Sequence, residues 1–159
     1  MKPGTPRFPG ARVDCARPIA FFFDGRPYRG YAGDTLASAL LANGVNILGR
    51  SFKIHRPRGL MAAGSDEPNA LVQLEEGGRT EPNVRASLQP LYPGLRARGQ
   101  NAWPSVRFDL GAALGLLQPV LPASFYYKTM IWPNWHAWEW AIRRLAGLGV
   151  APRERDPDR

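Results

Sequence analysis

Apolar and polar positions along this chain fall into short blocks separated by turn residues. Ile19–Phe23 is an unbroken apolar and aromatic run, and the dipeptide Asp24-Gly25 follows it. Both residues accept positive φ readily, so the pair predicts a two-residue hairpin with Arg26–Tyr31 as the return strand. Pro27 in that strand predicts an edge position. Gly33 then breaks the chain, and Asp34 stands where a helix N-cap would sit. The run TLASALLANG spaces Leu and Ala for one helical face, with Gly44 as its left-handed stop. Asn69–Leu74 reads as a strand and residues 75–78 as a turn. Thr80–Leu91 reads as a strand region interrupted by Pro82 and Pro90. Residues 18–95 therefore predict an α+β unit, with one helix laid across a small mixed sheet.

The pattern changes after residue 95. Strand signals fade, and all five tryptophans lie in this second part. Asp109 is placed to cap a short helix through Leu117, which Pro119 would stop. Asn134 is placed to cap a second helix reaching about Ala146, with Arg143 and Arg144 near its end and Gly147 beyond. Trp135, Trp138, Ile142 and Leu145 fall on one stripe of that helix. The expected organisation is a flexible leader over 1–17, the α+β domain over 18–95, a helical aromatic-rich appendage over 96–150, and a linker over 151–159.

Composition refines this picture in three places. The net charge of +8 is concentrated early: residues 1–60 hold ten Lys and Arg against three Asp and Glu. Such a bias suits an acidic protein surface or a phosphate-bearing cofactor. The basic residues alternate with Pro and Gly and form no long run, which argues against nucleic acid. Cys15 is the single cysteine, so neither an intrachain disulfide nor a cysteine-only metal site can form. A reducing cytoplasm is the expected compartment. The longest uncharged run, Leu110 to Tyr127, carries two prolines and falls short of the ~20 apolar residues a membrane span needs.

The stretch HRPRGLMAAGSDEPNALVQL, from His55 to Leu74, carries the most specific signal. A basic turn leads into a loop and then an apolar strand. In plant-type ferredoxins the loop after the helix carries C-x4-C-x2-C, with a fourth cysteine on a later strand. This stretch resembles the β-grasp [2Fe-2S] domains of bacterial amine-oxidising flavoproteins, whose apolar strand is followed by a Val-Arg-Ala-Cys segment, and that resemblance implies ligand positions at Ala62, Glu67 and Ala70 in the loop and at Ser87 inside VRAS. None is a cysteine. Alanine has no donor atom, and one carboxylate with one hydroxyl does not replace four thiolates.

The order of hairpin, GDTLASALLANGV helix, RPRG turn and NALVQL strand resembles the β-grasp [2Fe-2S] domains of bacterial amine-oxidising flavoproteins. More narrowly, the chain resembles the N-terminal region of the alpha subunit of heterotetrameric sarcosine oxidase, a β-grasp domain without the cluster cysteines. The residues that carry this are FDGRPYRGYAGDTLASALLANGV, GRSFKIHRPRGLMAAGSDEPNALVQL, EPNVRAS, WPSVRFDLGAALGLLQPVLPASFYYKTMIWP and DPDR, spread over residues 12–159. The resemblance implies a larger complex that oxidatively demethylates sarcosine and carries FAD, FMN, NAD and tetrahydrofolate. It implies that this chain alone binds none of these, and that its partners are other subunits of that flavoenzyme. A Gly-rich dinucleotide-binding domain would follow such a tail. The expected role is a non-catalytic structural and docking module. The alternatives are a stand-alone adaptor for an amine-oxidising flavoprotein and a [2Fe-2S] electron carrier, which the missing thiolates oppose.

Within that frame, Arg50, Lys53, His55, Arg56 and Arg58 form a basic turn suited to phosphate or an acidic partner; the plainer reading is a solvated turn. His55 and His136 lack the companions a metal site needs and are expected as ordinary turn and helix residues. Asp66 and Glu67 are expected to be solvent-exposed. Trp132, Trp135, Trp138 and Trp140 are either the core of the appendage, a docking surface, or an interfacial membrane segment.

Overall fold

The computed structural model describes residues 13–52, 54–75, 77–117, 132–145 and 149–158. Strand β1 (Asp14–Phe23) and β2 (Arg26–Ala32) form the expected hairpin, with Phe23 opposite Arg26. Asp24 and Gly25 sit at φ 49° and 73°, the left-handed pair that a tight hairpin turn requires. Helix α1 (Leu36–Ala42) follows. Its cap is Thr35 rather than Asp34: Thr35 Oγ1 accepts from the Ser38 amide, and Ser38 Oγ accepts from the Thr35 amide. Asp34 instead accepts from Ser38 Oγ and the Tyr31 amide, bracing the turn from outside. At the other end Gly44, at φ 76°, donates to Leu41, and Val45 donates to Leu40, closing a Schellman motif.

Two short strands, β3 (Gly49–Arg50) and β4 (Pro57–Arg58), pair with each other around the basic turn. Strands β5 (Leu71–Leu74), β6 (Glu81–Arg85) and β7 (Arg96–Gly99) complete a five-stranded mixed sheet of order β2-β1-β7-β5-β6. Both edge strands carry a proline, Pro27 and Pro82, which is where a missing N–H is tolerated. The centre is β7, parallel to β1 and antiparallel to β5. The sheet thus reaches past the boundary at residue 95 drawn from the sequence. In RARG the inward positions are Ala97 and Gly99, too small to register as an apolar alternation.

One core unites these elements. Phe21, Phe23, Leu36, Leu40, Leu48, Val72 and Leu95 are its largest fully buried apolar members. Leu36, Ala37, Ala39 and Leu40 give α1 its buried face. The arrangement is the expected α+β one, with a helix on a mixed sheet.

The second part is tied to this unit. Asp24 accepts from the amides of Gly99 and Val106, so the first hairpin turn holds the last strand and the segment beyond it. Residues 110–117 form a 3-10 helix rather than an α-helix, opened as expected by Asp109, whose Oδ1 accepts from the Gly111 amide. Helix α2 (Trp135–Leu145) is capped by Asn134, whose Oδ1 accepts from the Ala137 amide. The end of the appendage and the expected linker over 151–159 are also tied to this unit. Gln73 exchanges two hydrogen bonds with the Val150 backbone, and Arg79 holds Asp158 through two nitrogens. No helix among the described residues is long and apolar enough to cross a membrane.

Candidate functional site

The loop between β4 and β5 carries three of the four ligand positions that the resemblance implies. A single 3-10 turn, Gly64–Asp66, bends it, and Gly64 takes φ 81° at that bend. The bend drives Glu67 inward, where it is 1% exposed. Its Oε2 accepts from the amides of Met61 at 2.6 Å and Ala62 at 2.7 Å. Its Oε1 accepts from Asn69 at 2.7 Å and Ala70 at 3.0 Å. The expectation of an exposed acidic pair therefore fails for Glu67 and holds for Asp66. Burial pushes the Glu67 carboxyl up, but the amides of Ala62, Asn69, Met61 and Ala70 together outweigh it and hold it below the ordinary glutamate range.

Ser87, the fourth position, lies beside the same loop. Its hydroxyl donates to the Gly64 carbonyl at 2.7 Å, and Arg85 Nε donates to the Glu67 carbonyl at 3.3 Å. The structure thus joins Ala62 and Ala70 to Glu67 through their amides and fastens Ser87 to the same loop at Gly64. Their donor set does not fit an iron–sulfur cluster. Two side chains have no donor, both Glu67 oxygens are taken by backbone amides, and the Ser87 hydroxyl is committed to Gly64. Cys15 lies in β1 and is exposed. The sequence signal for the Glu67 arrangement was the acid at the middle ligand position, flanked by alanines, between two glycine turns.

The basic turn divides into two halves. Arg50 turns inward: Nε and Nη2 donate to the Val106 carbonyl and Nη1 to that of His55. His55 is buried, with Nδ1 at 2.7 Å from Asp109 Oδ2, and Arg50 Nε lies 3.7 Å from the same oxygen. The Asp109 side chain is fully buried, and its Oδ1 also accepts from the Trp103 amide. Arg50 and His55 are therefore spent on an internal lock and are not free for phosphate. His55 is no plain turn residue, since it joins segments 54 positions apart. Arg56 and Arg58 are exposed and border an open cleft of about 370 Å³ walled by Phe52, Ile54 and Leu71. Lys53 lies outside the described residues.

The aromatic candidates face outward. Trp132 is 83% exposed and Trp140 72%, while Trp135 and Trp138 are roughly two-fifths exposed. Trp138 Nε1 donates to the Trp132 carbonyl, folding the helix start back on itself. His136 is exposed and lies 3.6 Å from Glu139. Phe125, Tyr126 and Tyr127, read with this cluster, lie outside the described residues. A larger cleft, about 760 Å³, runs between α2 and the end of β7 and is flanked by Trp103 and Trp140.

The model of the 2Fe-2S iron-sulfur cluster binding domain family matches residues 16–102. Sarcosine oxidase subunit alpha of Rhizobium meliloti (strain 1021) is 61% identical over 149 residues, which cover 92% of this chain and 15% of that protein. Sarcosine oxidase subunit alpha of Corynebacterium sp. (strain U-96) is 35% identical over 117 residues, 74% of this chain and 11% of the relative. The chain thus spans less than a sixth of the length of the relatives it matches. Among solved structures, L-proline dehydrogenase from P. horikoshii aligns with 63% of this chain and 18% of its own at 22% identity and a TM-score of 0.43.

Proposed function

The chain belongs to the 2Fe-2S iron-sulfur cluster binding domain family, and from that membership we propose that it serves as a non-catalytic structural and docking module of a sarcosine-oxidase alpha-type subunit. One observation supports the reading: the loop that carries the implied ligand positions is closed around the chain's own Glu67 carboxylate. An ordered loop without redox chemistry is what a docking element needs. Among the described residues, the buried Asp34, His55 and Glu67 and the half-buried Asp24 are engaged inside the fold: Asp34 with the Tyr31 amide and Ser38 Oγ, His55 with Asp109, Glu67 with four amides and Asp24 with two. Exposed Arg56, Arg58 and the tryptophans of α2 supply charge for encounter and aromatic area for residence, the two ingredients of a selective interface.

In this reading the partners are other parts of a cytoplasmic sarcosine-oxidising flavoenzyme, and FAD, FMN, NAD and tetrahydrofolate belong to those parts. Co-expression with the remaining subunits, followed by affinity capture of this chain, tests it. The expected result is recovery of flavin-bearing partners in fixed stoichiometry, with no sarcosine-dependent peroxide from the chain alone. Peroxide formation by the pure chain, or capture of no flavin-bearing partner, overturns the proposal.

A further inference from the structure

We propose that the four amides around Glu67 form a carboxylate-binding cradle, filled from within by this side chain in place of the anionic cluster that the family's loop surrounds. Two of the donors, Met61 and Ala62, precede the bend, and two, Asn69 and Ala70, follow it. Each carboxylate oxygen receives two. Four N–H dipoles converging on one buried point repel each other unless a negative charge sits there. In a cluster-bearing loop that charge is brought in with the metal group. Here the acid at the second ligand position supplies it.

The neighbours fit the same assignment. Ala62 and Ala70 contribute amides and bring no side-chain donor of their own to the carboxylate. Ser87 Oγ and Arg85 Nε hold the carbonyls of Gly64 and Glu67, so the loop is fastened on its carbonyl side while the carboxylate gathers its amides. The backbone at Glu67, φ −71° and ψ 113°, is open to any residue, so the acid is there for its charge and reach and not for its conformation. The consequence is a loop that closes as the chain folds, without metal delivery, and keeps its outer face whatever the iron supply or redox state.

The ligand class of the cradle is a small monocarboxylate. Glu67→Ala in the full chain should lower the thermal midpoint by roughly 5–10 °C. Sodium formate should recover part of that loss saturably, while sodium chloride at equal ionic strength should not, and the parent should respond to neither. Glu67→Gln keeps the shape, offers an NH2 group to amide donors, and should lose stability without formate rescue. In the parent, the amide resonances of Met61, Ala62, Asn69 and Ala70 should titrate together with the Glu67 carboxyl, below the ordinary glutamate range. That measurement decides the matter even if Glu67→Ala does not fold. Titration at or above the ordinary range, a folded Glu67→Ala as stable as the parent, or equal rescue by chloride and formate overturns the proposal.

Discussion

Replacing Asp109 separates two contributions that the structure places on one side chain. Oδ1 accepts from the Trp103 and Gly111 amides; Oδ2 faces His55 Nδ1 at 2.7 Å and Arg50 Nε at 3.7 Å. The carboxylate is wholly buried, and the Arg50 side chain is only 10% exposed. Asp109→Ala removes every acceptor and leaves the Arg50 guanidinium buried without its counter-charge. Breaking a buried pair from one side costs about 3–5 kcal/mol. Asp109→Asn keeps an oxygen for the two amides and removes only the charge, and Arg50 still has the carbonyls of Val106 and His55. Its cost should be about 1–3 kcal/mol, the range for charged hydrogen bonds. Urea unfolding followed by tryptophan fluorescence measures both, with an unchanged slope showing that the unfolded state is unaffected. If Asn costs as much as Ala, the amide acceptor role of Oδ1 is refuted. If both variants stay within about 0.5 kcal/mol of the parent, the buried lock contributes nothing and the argument fails.

Three further outcomes are expected. Glu67 has a lowered folded pKa, so its contribution to stability is present above the ordinary glutamate range and is lost as pH falls through the folded value; unfolding free energy measured between pH 7 and pH 3 should decline less steeply in Glu67→Gln than in the parent. Asp24, raised by burial against its two amides, works in the opposite sense and is unchanged in both proteins. A Cβ at Gly99 would meet Val106 and stand 2.6 Å from the Leu48 carbonyl oxygen, so Gly99→Ala should destabilise by about 1–3 kcal/mol in thermal unfolding. In the proposed docking to subunits of a flavoenzyme, Arg56→Ala should flatten the salt dependence measured by calorimetry, while Trp138→Ala, once shown to stay folded, should weaken affinity by on the order of 2 kcal/mol; parental binding by both would remove these segments from the proposed interface.

The hairpin and α1 were legible because local rules decide them. Asp24-Gly25 dictates its turn wherever it sits, and the Leu and Ala spacing of residues 35–44 leaves one register for the helix. The cap moved by one residue because Thr35 and Ser38 can serve each other reciprocally, while Asp34 has a second use at Tyr31. What escaped the sequence was long-range. Strand β7 is too short and small-chained to announce itself, and it exists because β1 and β5 both need a neighbour. The cluster spacing located the loop but not its content. An acid beside another acid reads as surface, and only the convergence of four amides makes burying it favourable. His55 likewise gave no local sign of Asp109, which lies 54 positions later.

The strand order β2-β1-β7-β5-β6 also sets a timetable for folding. Two hairpins, β1-β2 and β5-β6, can zip locally as soon as each is synthesised, yet they share no edge. The strand that joins them is the last of the described strands, and Asp24 reaches its partners 75 and 82 residues downstream. Until Gly99 has emerged from the ribosome, the growing chain holds two ribbons with unpaired inner edges. Closure of so long a loop is an entropic barrier that local contacts do not lower, so the insertion of β7 should govern the folding rate. A stop at residue 95 would leave the hairpins without the strand that makes them one sheet, with exposed edges prone to pair between molecules.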